Sequence, residues 1–326
     1  MHPATSVILF TTFMGVGQGL FLALYTAQLY GAMGILTWQA SPTFCALGSL
    51  LAVVLLLAGT GASFRHLGRP ERSWRSAAMW RTSWLSREVI MLPVTIGLIV
   101  VYGALHGLGW DVTLFTVEGF IPVDITLVVG LLAAIAVFGL FLSTAMIYAS
   151  MPFLQEWHSP LTVFNFVFLG SASGFTLATA VASGLENGGE AFFTNWAVIL
   201  TSAAFVTRGS SLILNGRRRR KSTLESAIGV RHPQIRQITQ GAMGGSFNTR
   251  EFFHHKTPTR VLATRWAFLL LTFPLPIALL ITGEARDAAS PAVAAFVVQY
   301  LGLLAERWSF FADARHPQNL YYQAIA

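Results

Sequence analysis

A chain of 326 residues that is 54% hydrophobic and 11% charged, with a net charge of +7 and a mean hydropathy of +0.60, cannot clothe itself in polar surface. Soluble domains carry about a quarter charged residues, so the composition excludes an ordinary soluble globule and indicates an integral membrane protein. Cys45 is the sole cysteine, which excludes an intramolecular disulfide and any cysteine-ligated cluster held by this chain alone.

Taken in chain order, the N-terminal MHPATSVILF has no basic region and no nearby small-residue cleavage site. It reads as the start of a retained helix rather than a signal peptide. Apolar stretches of roughly 20 residues, the length a bilayer core requires, then recur eight times. The first two cover roughly 6–31 and 43–62, divided by SPTF at 41–44. An arginine-rich connection, 63–87, leads to a third at 88–108, with Pro93 inside it. The fourth, 121–149, is long enough to tilt or to extend past the bilayer. HSPL at 158–161 opens the fifth, 160–183, and ENGGE at 186–190 precedes the sixth, 195–215. A basic connection over 216–260 separates these from 261–283, where FPLP at 273–276 is a candidate break, and from 291–312 after ASPA. The fold expected is an all-α membrane domain of about eight transmembrane helices spanning residues 1–326, with no internal repeat.

Eight spans put both termini and the connections 63–87 and 216–260 on one side. Every lysine and arginine except Arg286 lies on or near that side; Arg208, Arg265 and Arg307 fall inside spans but near the same end, within snorkelling reach. The opposite connections carry Asp111, Glu118, Glu186, Glu190, Glu284 and Asp287. By the positive-inside rule the basic side and both termini are cytoplasmic. The charge is then topological and does not signal nucleic acid.

Topology asks for basic residues in no particular order; it does not ask for the rest of SFRHLGRPERSWRSAAMWRTSWLSREV at 63–89. His66 closes span 2 and Glu88 opens span 3. One account makes them interfacial residues, Glu88 favourably placed at a helix N-terminus and paired with Arg87 or Arg65. The other makes them a quinone site, since quinone carbonyls need donors and protons: histidine donates and titrates near neutrality, and a boundary carboxylate relays protons from water. Trp74, Trp80 and Trp84 are then either belt tryptophans or, for Trp74 and Trp84, walls of the ring pocket. The 216–260 connection begins with a lipid-anchoring basic run, and its remainder, with Asn248, Arg250 and Phe252, is read as a docking surface for a soluble subunit.

No two histidines share a depth within the spans, which argues against an embedded haem, and no close ligand spacing suggests a metal. A transporter would show paired broken helices and ionisable groups strung through the membrane. FPLP has no counterpart in the other half, and no such string is evident.

MHPATSVILFTTFMGVGQGL at the start, HLGRPERSWRSAAMWRTSWLSREV at 66–89 and SFNTREFFHH at 246–255 resemble the membrane-anchor subunit family of dimethyl sulfoxide reductase. Within it they most resemble the branch of cytoplasmic sulfite dehydrogenase (sulfite:quinone oxidoreductase) anchors. The resemblance implies a haem-free anchor in a bacterial cytoplasmic (inner) membrane that binds ubiquinone or menaquinone. Molybdopterin and iron–sulfur clusters would lie on two partner subunits, one catalytic and one electron-transferring. By motif match the family's quinone-site histidine falls on His66, its glycine on Gly68, its arginine on Arg72 and its acidic residue on Glu88. The motif here is richer in arginine than in the sulfoxide branch, which leaves Arg69 and Arg75 for docking. Partners on the cytoplasmic side suit sulfite oxidation into quinone; the alternatives are a sulfoxide reductase anchor oxidising menaquinol, or a transporter.

Overall fold

The structure, a computed structural model, describes residues 5–65, 67–116, 122–185, 188–218, 223–232, 234–235, 257–284 and 289–314. Eight helices in it are long and apolar enough to cross a membrane, which makes the chain an all-α multi-pass membrane protein. They are α1 (Thr5–Ala32), α2 (Pro42–Phe64), α3 (Trp84–Leu108), α4 (Ile125–Ala149), α5 (Pro160–Gly184), α6 (Glu190–Arg217), the broken pair α8 (Pro258–Thr272) and α9 (Pro274–Glu284), and α10 (Ala289–Ala312). A short α7 (Leu224–Ile228) lies in the basic connection.

The helix starts follow from local chemistry. Ser41, Ser83 and Ser159 each accept a backbone N–H of the first turn, from Phe44, Ser86 and Leu161, and Pro42 and Pro160 occupy first-turn positions whose N–H has no helical partner. Inside the spans, hydroxyls turn back onto their own helix: Thr176 donates to Ala172 O at 2.9 Å and Thr179 to Phe175 O at 3.1 Å. That satisfies them without water. Large apolar side chains such as Leu50, Ile135 and Val206 point outward and form a lipid-facing belt.

α1 and α5 form the centre: 72% of each apolar window is buried, against 22% for α3. α1 packs on α2, α4, α5 and α10, and α5 on α6 and α10 as well. Apolar side chains gain little by leaving lipid for one another, so contact depends on close backbone approach between small residues. Gly15 and Gly19 on α1 face Gly170 and Gly174 on α5; a Cβ built on Gly19 would sit 2.1 Å from Gly170 O, and one on Gly174 2.0 Å from Gly19 C. The two GxxxG runs are the reason these helices touch.

FPLP breaks the seventh span as expected, with α8 ending at Thr272 and α9 starting at Pro274. The carbonyl freed there is used, because Gln299 Nε2 on α10 donates to Thr272 O at 3.3 Å and to Thr201 Oγ1 on α6 at 3.1 Å. At the end opposite the arginines, Tyr102 donates to Gln28 at 2.8 Å and Gln28 to Thr126 at 2.8 Å, tying α3, α1 and α4 together.

One local expectation is corrected. The fourth span does not begin at 121: residues Pro122–Asp124 (β2) pair antiparallel with Thr113–Thr116 (β1), and α4 starts only at Ile125. Within the 63–87 connection, Pro70–Met79 forms a 3₁₀ segment lying on the start of α3.

Candidate functional site

The N-terminus of α3 separates its two neighbouring charges, because successive helix positions project about 100° apart. Arg87 turns outward, donating at 2.9 Å to both Trp80 O and Arg81 O while lying 4.1 Å over the Trp84 ring. Glu88 turns inward and is 4% exposed. Its carboxylate oxygen accepts the hydroxyl of Thr144, from the last turns of α4. Pairing of Glu88 with Arg87 is therefore corrected: Arg87 serves the backbone and tryptophan of its own loop.

Thr144 opens onto a narrow, partly open cleft between α1, α4, α5 and α10. Its polar lining comes from Thr11, Thr12, Gln18, Thr144, Ser173 and Arg307. The room in it is that of water-sized molecules and not of a ring.

Beyond it stands a group of ions that snorkelling does not anticipate. Glu306 on α10 lies 2.7 Å from Arg208 on α6 and 3.2 Å from its neighbour Arg307. All three are buried, at 1%, 2% and 4% exposure. Arg208 and Arg307 therefore do not reach for the surface, whereas Arg265 does, pairing with Asp313 at 3.0 Å there. The expectation that Arg208 and Arg307 snorkel is corrected by this triad, a geometry in which each guanidinium finds a carboxylate and an aromatic face. Arg307 lies 4.0 Å over Phe166 and Arg208 5.5 Å over Phe268. Tyr148, one turn beyond Thr144 and on the same face of α4, is within electrostatic reach of both Glu88 and Arg307. An aromatic cluster of Tyr148, Trp157, Phe166, Phe310 and Phe311 closes this end, with Trp157 Nε1 donating to Phe310 O at 2.9 Å.

The other anticipated residues lie nearer the surface or beyond the described chain. His66, Asn248, Arg250 and Phe252 lie outside the described residues. Gly68, Arg69, Arg72, Trp74 and Arg75 are exposed on or beside the 3₁₀ segment; Trp74 is 69% exposed, with Arg75 5.5 Å over its ring. Arg72 has Glu71 at 3.9 Å. Trp84 is half-buried beneath Arg87. Of the anticipated residues that are described, then, only Glu88 is brought into the interior, and it is joined there by Thr144, Gln18, Arg307 and Glu306, none of which motif reasoning marked. The available signal was the adjacent Glu306–Arg307 inside the last span, a costly pair in lipid unless partnered. Among the described residues no three or more His, Cys, Asp or Glu side chains cluster as metal ligands do.

A buried carboxylate, a narrow cleft and a linked set of buried ions thus lie together at the arginine-rich end of the eight-span bundle. Residues 1–311 match the DMSO reductase anchor subunit (DmsC) family, and the chain belongs to that family. Across its whole length of 326 residues it is 54% identical to a sulfite dehydrogenase subunit of Allochromatium vinosum, all of which is covered as well.

Proposed function

We propose that this chain anchors a molybdopterin and iron–sulfur oxidoreductase in the bacterial cytoplasmic membrane and passes electrons from sulfite oxidation, through the partner's clusters, into quinone. Family membership and the sulfite dehydrogenase relative support the anchor role and the substrate. The concentration of arginines at one end supports a cytoplasmic position for both partners.

The observation that carries the site assignment is Glu88: a buried carboxyl in the first turns of α3, held by Thr144, at the end where partners dock. A quinone taking up two electrons must also take up two protons, and a carboxyl at the membrane boundary is suited to deliver them. The donor chemistry there fits a quinone carbonyl, but the cavity behind Thr144 is too narrow for the ring. The ring is therefore assigned to the mouth of the site at the head of α3, where Arg72 lies on the adjoining 3₁₀ segment and Trp84 offers an apolar wall, with His66 and Gly68 as the further quinone-site residues that the family motif implies. His66 hydrogen-bonds a carbonyl and Glu88 relays protons. Arg69, Arg75 and the exposed Trp74 form part of the docking face, together with Asn248, Arg250 and Phe252 of the long basic connection.

The test is sulfite-dependent quinone reduction by the assembled complex. In Glu88→Gln it is expected to fall about 100-fold, the usual worth of a general acid or base, and an undiminished rate removes the relay role. Titration with a fluorescent quinol analogue tests binding directly: His66→Ala and Glu88→Gln are both expected to lose saturable binding. The family's own description favours a second reading, a sulfoxide reductase anchor oxidising quinol. Quinol-dependent sulfoxide reduction with no sulfite-dependent activity would select it.

A further inference from the structure

The cavity presents a donor and an acceptor that packing leaves unmatched. Gln18 gives its amide nitrogen to Met14 O at 3.1 Å, which turns its Oε1 toward the free space. Neither Gln18 Oε1 nor Arg307 Nη1 has a hydrogen-bond partner among the described residues, although both side chains are buried. An unmatched acceptor and an unmatched donor lining one small cleft, otherwise walled largely by apolar side chains, are polar partners of the kind that hold a buried water.

Charge gives that water a direction. Arg208 and Arg307 carry two positive charges against the single negative charge of Glu306, so the triad holds one positive charge in surplus. Around the cavity α1 contributes only uncharged Thr11, Thr12 and Gln18 to the polar lining, and α5 only Ser173. From α4 comes Thr144, with the phenol of Tyr148 one turn further along the helix, outside the lining. Among the described residues the other buried carboxylate at this end is Glu88, one hydrogen bond behind Thr144.

We propose that water in this cavity joins the Glu88–Thr144 pair to Arg307, so that the surplus charge of the triad is the counter-charge of Glu88 whenever that carboxyl is ionised. The inference rests on Glu88 as the proton-carrying group proposed above. When Glu88 delivers its proton, the O–H bond broken is its own and the one formed is on the quinone oxygen, which has received electrons from the partner. The carboxylate left behind is held by Arg307 through water until a proton returns. Arg307 is thus a positioning residue: it acts on quinone only through Glu88.

The test is infrared spectroscopy of the complete complex at fixed pH, reading the neutral-carboxyl band that Glu88→Gln abolishes. Arg307→Gln takes away the counter-charge and is expected to raise the ratio of neutral to ionised Glu88 about tenfold, while Glu306→Gln adds to the surplus and is expected to lower it about tenfold. Both variants loosen the same ion cluster, so a merely structural role moves the band in one direction or not at all, and either result overturns the inference. Should these variants fail to assemble, Gln18→Leu displaces the water without changing a buried charge; the band is expected to rise, and a constant band overturns the proposal. High-resolution imaging of the wild-type complex is expected to show water within hydrogen-bond distance of Gln18 Oε1 and Arg307 Nη1, and a dry cavity overturns it too. If quinone turnover persists in Glu88→Gln while the band still moves in opposite directions, the relay role falls and the charge coupling stands.

Discussion

Replacing Gly174 by alanine puts one methyl group where the structure has a backbone. The added Cβ would lie 2.0 Å from Gly19 C, 2.1 Å from Leu20 N and 2.4 Å from Gly19 Cα. Carbon atoms rest at about 3.5–4.0 Å, so α1 and α5 must part locally by roughly 1.5 Å. No side chain can rotate away, because the obstructing atoms are main chain. Overpacking of this kind costs about 1–3 kcal/mol, and the upper end applies here. Against it stands the better helix propensity of alanine, worth ~1 kcal/mol over glycine. The net expectation is a loss of about 2 kcal/mol. Cys45 provides the assay: it is the sole cysteine, it is buried, and its reaction with a thiol dye in mild detergent reports opening of the bundle along a denaturant titration. The control is Gly209→Ala, on a helix position where an added Cβ meets nothing within 4 Å; it should match or slightly exceed wild type. Gly174→Ala unfolding at the same denaturant concentration as Gly209→Ala would refute the reasoning, because the two differ only in what the methyl meets.

The same dye assay reads the ion cluster. Glu306→Gln, which strands two buried guanidinium groups, is expected to cost about 3–5 kcal/mol, whereas the combined change Arg208→Met, Glu306→Leu and Arg307→Met should lie within about 2 kcal/mol of wild type or above it. If the combined change is as damaging as the single one, the triad is a stabilising element in its own right. Gln299→Leu leaves Thr272 O and Thr201 without their donor at the α8–α9 break and is expected to cost about 1 kcal/mol. Thr144→Val removes the hydroxyl that holds Glu88 and should slow quinone reduction by the complex about tenfold, a loss of the order expected for one buried hydrogen bond to a charged group, while Thr144→Ser restores it; equal rates in all three would show that Thr144 does not position the carboxyl.

The spans were legible in the sequence because lipid demands length and hydropathy of each segment separately, and those are local quantities. FPLP at 273–276 was legible for the same reason, since proline breaks a helix wherever it stands. The β1–β2 pair was not: TLFT and PVD are too short to carry a period, and their register depends on each other. Arg307 shows the limit most clearly. An arginine near the end of a span reads as a snorkelling residue, and whether it turns to water or inward is decided by Phe166 beneath it, by the cleft beside it and by Glu306, which is itself held by Arg208 on another helix. Glu88 stands out in the sequence as a residue of interest, but its direction does not, because the Arg87 beside it and Thr144 across the interior compete for it only once the bundle is assembled. The GxxxG runs at Gly15–Gly19 and Gly170–Gly174 were present to be read, and they mark the centre.

That centre has a consequence for how the protein is made. α1 leaves the ribosome first and α5 only after three further spans, yet the glycine faces of these two helices are complementary to each other. Until α5 arrives, the notch on α1 faces lipid or a temporary neighbour. Insertion and assembly are therefore separate events for this chain. The first helix threaded into the bilayer must wait for the fifth, and a translation stall between them would leave a membrane-inserted fragment without its central contact, a natural target for quality control.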